Sequence, residues 1–149
     1  AHSKLGPAGS SEALVPFHKL SQWLTYSLIE PIEAAGCEVN GLNELTGLAE
    51  YRNGGLLIDS GLISPKSTGA LEESWAPGSD FVIEWRALTI HLLDLLGARV
   101  QGALGRTPES FPLAKVLEGG TWWAGRYLAQ EKRAGGTPPV NIISDGTVF

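Results

Sequence analysis

The stretch "DFVIEWRALTIHLLDLLGARVQGALG", Asp80 to Gly105, decides the fold. It contains no proline, and Ser79 or Asp80 stands where a helix cap belongs. Phe81, Trp85, Leu88, Leu92 and Leu95 recur at three- and four-residue spacing, which predicts a long helix with that stripe buried. Upstream, "SPKSTGALEESWAPG" (64–78) is rich in Pro, Gly and Ser and reads as a loop. Downstream, a loop with Pro108 leads into "PLAKVLEGGTWWAGRYLAQEKR" (112–133), a second helical pattern.

Further out, "VPFHKLSQWLTYSLIEPIEAAG" (15–36) places Phe17, Leu20, Leu24 and Leu28 on one helical face. Pro31 is expected to kink or restart that helix, and Gly36 to stop it. "NGLNELTGL" (40–48) reads as a helical turn, and "LLIDSGLI" (56–63) as a short helix after a break at Gly54-Gly55. Residues 1–13 read as a tail or linker, and 14–149 as a single helical domain. The end, "PPVNIISDGTVF", is β-rich with a turn signal at Asp145-Gly146. The fold class is therefore mainly α with a short extended C-terminal segment, and there is no internal repeat.

Composition narrows the function. With 43% hydrophobic and 18% charged residues the chain is globular rather than disordered. A net charge of -5 repels a phosphate backbone, so no nucleic-acid partner is expected, although a local basic pocket for one phosphate remains compatible. Cys37 is the lone cysteine, which excludes an internal disulfide, and the three histidines show no zinc spacing, so no metal or other cofactor is expected. No apolar run reaches the about 20 residues of a membrane span, and no signal peptide is evident, which fits a cytoplasmic protein. Methionine is absent, so Ala1 is not expected to be the natural start. Five tryptophans predict an aromatic-rich core.

Four groups of residues carry possible chemistry. "EYRN", Glu50 to Asn53, sets a carboxylate, a phenol, a guanidinium and an amide before two glycines. Its plain reading is a solvated acid beside a turn. Its functional reading is a carboxylate partly desolvated by the apolar run behind it, with a pKa raised toward acid/base use. Glu84 shares a helical face with Ala87, Leu88 and His91. It is either an acid well placed near a helix N-terminus or an inward carboxylate, with Arg86 as a neighbour for an acid. On the first helix His18 and Gln22 lie one turn apart, and Lys19 beside them suits a substrate phosphate. In "LEGGTWWAGR" (117–126) each glycine costs a helix roughly 1 kcal/mol and so needs a reason, either a close crossing or a ligand. Trp122 is the candidate to stack on a flat group. P-loop, GxGxxG, nucleophile-elbow and zinc motifs are all absent from the sequence.

Together "VPFHKLSQWLTYSLIEPIE", "LTGLAEYRNGGLLIDSG", "EWRALTIHLLD", "FPLAKVLEGGTWWAGR" and "ISDGTVF" resemble the uncharacterised uracil-catabolism proteins of the ribosylurea pathway. Members of that family are longer, and the resemblance is to their C-terminal part, which implies that this chain is a fragment. More distantly, Phe17-x-Lys19-x-x-Gln22, Ala49-Glu50-Tyr51-Arg52 and Glu84-Trp85-Arg86 are similar to the queuosine salvage glycosylases, which hydrolyse an N-glycosidic bond. Those enzymes have aspartate where Glu50 stands.

That resemblance implies an all-helical core similar to DNA glycosylases and an N-ribosyl hydrolase acting on ribosylurea or a related nucleoside or nucleotide. Glu50 and Glu84 would be catalytic. His18, Lys19, Gln22, Tyr51, Arg52, Asn53, Arg86 and Trp122 would bind substrate. The alternative is a non-catalytic binding or assembly module on the same fold. The expected partners are a small-molecule substrate and the absent N-terminal region or another subunit.

Overall fold

Ser79 caps the long helix as expected: its hydroxyl accepts the Val82 amide, and α3 runs Asp80–Ala103. This computed structural model describes residues 1–143. The face that α3 buries differs from the one its leucines mark. Val82, Ile83, Trp85, Arg86, Thr89, Leu93, Gly97 and Gln101 are buried, whereas Leu88 and Leu95 are 46% and 53% exposed. The reason is the closeness of the neighbours. A Cβ on Gly97 would come within 2.6 Å of Leu113, and one on Gly47 within 2.7 Å of Leu93. At each crossing one partner is a glycine, Gly97 on α3 against Leu113 and Gly47 against Leu93 of α3, so the buried face mixes glycine and polar residues with large apolar ones and the leucine spacing does not mark it.

α2, Tyr51–Asp59, passes straight through Gly54-Gly55 instead of breaking there. The pair is a close-approach point. A Cβ on Gly54 would lie 2.8 Å from Thr89 Oγ1 and 2.9 Å from the Trp85 ring, and one on Gly55 would lie 3.1 Å from Pro139. Trp85 Nε1 donates to the Gly54 carbonyl at 3.1 Å, so the indole is satisfied where it is buried.

α4 (Leu113–Val116), a π-helical turn (Leu117–Trp122) and α5 (Trp123–Lys132) follow one another without interruption. Gly125 lets this run cross α2, since a Cβ there would sit 2.1 Å from the Arg52 carbonyl oxygen. Thr121 Oγ1 donates to Asn53 Oδ1 at 2.9 Å beside the crossing. At the far end Arg133 grips Asp59 with two bonds of 2.7 and 2.5 Å.

The C-terminal extended segment is β2, Asn141–Ile142. It pairs in parallel with β1, Ser74–Trp75, which lies in the stretch read as a loop. The Asp145-Gly146 turn signal lies outside the described residues. Residues 1–13, expected as a tail or linker, lie against the start of α3: His2 and Ala13 are buried, and Ser3 bonds Asp80.

Of the five tryptophans only Trp85 is buried, and Leu48, Leu57, Val82, Leu93 and Val140 fill the best-sealed positions. The expected aromatic core is found around Trp85, where Phe17, Tyr51, Trp75 and Phe81 pack partly buried, while a second cluster of Leu48, Leu93 and Leu117 is aliphatic. α1, Lys19–Ala34, contains Pro31 without ending there, and Gly36 stops the chain in the left-handed region at φ 84°. None of its residues is buried: Leu20, Leu24 and Leu28, read as its inner face, are 61%, 59% and 44% exposed.

These spacings predict opposite outcomes for neighbouring glycines. Gly125→Ala meets the Arg52 backbone and should lose at least about 3 kcal/mol, the upper range for overpacking. Gly120→Ala meets nothing within 4 Å and should gain up to about 1 kcal/mol of helix propensity. Urea denaturation of the two variants checks the contrast.

Candidate active site around Glu50

The segment 47–50 enters α2 wholly buried, and its last residue caps the helix. Glu50 is 6% exposed, and its Oε2 accepts the Arg52 amide at 2.7 Å. Burial pushes its pKa up. The amides of Arg52 and Asn53 and the charges of Lys19 and Arg52 oppose that rise without cancelling it.

Lys19 opens α1 half-buried. Burial lowers its pKa, the Glu50 carboxylate pulls it back up, and the Arg86 charge pushes it down. The three groups therefore share one neighbourhood. Arg86 is 6% exposed, and its guanidinium carbon sits 3.9 Å over the Phe17 ring, a cation–π contact that offsets part of its desolvation. Arg52 Nη1 donates to the Gly136 carbonyl at 3.1 Å, and its guanidinium carbon lies 4.8 Å from the centre of the Tyr51 ring. Arg52 Nε is buried with no hydrogen-bond partner among the described residues. The Tyr51 ring packs on the Ala49, Trp85 and Val140 cluster.

Gln22 sits one turn after Lys19 and donates to the carbonyl and hydroxyl of Thr46, both at 3.3 Å. Tyr26 repeats the hold with its hydroxyl on the same carbonyl, and burial, with Asp94 nearby, pushes its pKa up to about 12. These bonds fix the start of α1 against the segment that ends in Glu50. The Asn53 side chain is buried, and its Oδ1 accepts the Thr121 hydroxyl. His18 is exposed in front of α1, and its carbonyl accepts the Gln22 amide. Trp122 belongs to another group, edge-on to Trp123 at 5.1 Å with Arg126 at 5.8 Å.

The inward reading of Glu84 is corrected by its surroundings. Glu84, Ala87, Leu88 and His91 do share a face, and that face is exposed. The carboxylate bonds His2 Nε2 at 3.1 Å and Lys4 Nζ at 3.0 Å, and these hydrogen bonds, Lys4 first, hold its pKa down. It anchors the N-terminal residues to α3.

The structure thus unites Lys19, Glu50, Tyr51, Arg52 and Arg86. Phe17 and Thr46 support this group: Phe17 opens the Phe-x-Lys-x-x-Gln pattern, whereas Thr46 carries no signal of its own in the sequence. A separate cavity of about 360 Å³, lined by Ile58, Ile63, Trp75, Phe81 and Leu88, shares Trp85 with the Tyr51 cluster but includes neither Glu50 nor Lys19. Among the described residues no three His, Cys, Asp or Glu side chains gather as metal ligands, and no helix is long and apolar enough to cross a membrane.

The model of a family described as "Protein of unknown function (DUF1688)" matches residues 1–149. The chain is 44% identical over 142 residues to Protein urg3 of Schizosaccharomyces pombe, covering 93% of this chain and 35% of that protein. It is 39% identical over 157 residues to Uracil catabolism protein 4 of Lachancea kluyveri, again covering 93% and 35%. The chain therefore spans about a third of the length of the curated relatives it matches. No solved structure matches it.

A pH dependence follows from the raised pKa of Glu50. A raised folded-state pKa gives stability that is present below the unfolded value and is lost as pH rises through the folded one. Near neutral pH, Glu50→Gln, whose amide oxygen still accepts the Arg52 N–H, should melt at or above wild type. As pH falls toward 4.5 the wild type should gain and the difference should close. Thermal melts across that window test this, and a wild type that loses ground toward acid would show that the anion stabilises the fold.

Proposed function

The chain belongs to the DUF1688 family, and from that premise we propose that it is an N-ribosyl hydrolase of uracil breakdown. The substrate is ribosylurea or a related nucleoside or nucleotide. The observation that carries this reading is Glu50, a buried carboxylate of raised pKa amid the cations Lys19, Arg52 and Arg86. The name of the Lachancea kluyveri relative points to the same pathway.

Breaking the bond from ribose C1′ to nitrogen builds positive charge on the sugar. A carboxylate held in a poorly solvated site stabilises that charge and takes a proton from the attacking water. The water oxygen bonds C1′, the C1′–N pair leaves with nitrogen, and the urea group departs after gaining a proton. Lys19, made more acidic by burial, is the group we assign to supply that proton. The guanidinium forks of Arg52 and Arg86 suit a 5′-phosphate, with Arg52 Nε, which has no partner among the described residues, as one donor. The chemistry as written uses water alone and calls for no cofactor. A glycosylase-like helical core, a cytoplasmic setting and a small-molecule partner without nucleic acid belong to the same proposal.

A second reading has its own observation. Glu50 Oε2 already serves the α2 cap, as it would in a non-catalytic binding or assembly module. An assay of urea and reducing-sugar release from ribosylurea, with and without 5′-phosphate, separates the two. It should be run on this chain and on Protein urg3. Under the hydrolase reading Glu50→Gln loses about 10²- to 10⁴-fold in rate while remaining folded. Arg52→Ala should raise KM for the phosphorylated substrate more than for the plain one. An active Glu50→Gln variant would remove Glu50 from the chemistry, and no release by either folded protein would favour the binding module.

A further inference from the structure

α1 is a helix of 16 residues with none buried, and it touches the rest of the fold sparingly. Its inward side is held by Gln22 and Tyr26 on Thr46, with the Tyr26 ring against Leu48, Leu93 and Leu117. The side turned away from the body is apolar. Leu20, Leu24, Leu28 and Ile32 follow at intervals of four, Trp23 lies beside them, and their exposures run from 41% to 61%. An amphipathic surface helix turns such a stripe inward, and an isolated helix of this length is marginal in water. Here the orientation is reversed, so the fold as described does not bury what the sequence of α1 is patterned to bury.

The occupant is constrained by length and charge. The relatives carry about two-thirds of their length outside the stretch matched here, because the match covers 35% of each. The exposed charges of α1 are Glu30 and Glu33, and its lone cation, Lys19, faces Glu50. Against a second copy the helix therefore presents acid without an outward base to meet it. We infer that the Leu20–Ile32 stripe is an internal docking face. In the longer proteins of this family it packs against the part of the chain outside the matched third, through apolar contacts flanked by basic side chains that meet Glu30 and Glu33. Docking there would also fix the start of α1, and with it Lys19, although the inference is independent of the chemistry at Glu50.

The test compares the isolated chain with a chimera in which residues 1–149 replace the matched third of Protein urg3. Hydroxyl-radical footprinting should modify Trp23, Leu24 and Leu28 several-fold more slowly in the chimera. Leu24→Asp combined with Leu28→Asp should lower the Tm of the chimera by at least about 8 °C, as expected for buried leucines. The same pair should move the isolated chain by less than about 4 °C, as expected for exposed ones. Footprinting of intact Protein urg3 at the aligned positions gives the same readout should the chimera not fold. Equal modification in the short and long forms would overturn the inference. So would light scattering that shows the isolated chain to be a stable dimer in which the stripe is already protected.

Discussion

The Arg52 carbonyl oxygen lies where a Cβ on residue 125 would have to go, 2.1 Å away, and the architecture depends on that contact. α2 is pinned on one side by Gly125 of α5 and on the other by the Trp85 and Thr89 side chains of α3, which meet Gly54. With backbone that close on two sides, α2 cannot rotate without a clash, because packed interiors tolerate little change of volume. The Asp59–Arg133 pair then fixes its far end, and Glu50 caps its near end. The carboxylate of the candidate site is thus positioned by glycines several residues away.

This dependence explains which parts of the structure were legible from sequence. The caps were: Ser79 starts α3, and Gly36 follows α1 in the left-handed region. The glycines of "LEGGTWWAGR" were flagged as needing a reason, and Gly125 has one, whereas Gly119 and Gly120 border open space. The buried face of α3 was not legible, because its crossings chose Thr89, Gly97 and Gln101, and an apolar periodicity passes over such residues. The break assigned to Gly54-Gly55 shows the same ambiguity. A glycine pair signals a turn or a close approach, and only the neighbour decides which.

The candidate site was legible in its composition and illegible in its membership. Glu50, Lys19, Arg52 and Arg86 were named from their types and spacing, and the fold gathers them. Glu84 was named on the same grounds, and helical geometry placed it correctly beside Ala87, Leu88 and His91. What spacing alone does not specify is the absolute rotation of a helix against its neighbours. α3 turns that whole face outward, where His2 and Lys4 take up the carboxylate.

Glu50 answers two demands, and they are compatible. An ionised carboxylate offers about four lone-pair sites, and the Arg52 and Asn53 amides occupy the side facing α2. Those amide bonds favour the anion and burial disfavours it; burial is the larger effect and raises the pKa, which is the direction a general base needs. The cap also orients the carboxylate, since Oε2 is held by the Arg52 amide at 2.7 Å while Lys19 acts on it through its charge. Lys19 and Arg86 are held instead from α1 and α3, so the charges face one another from three separate helices. One acid among several cations, in a chain whose net charge is -5, is the arrangement on which the proposal of a phosphate-bearing substrate rests.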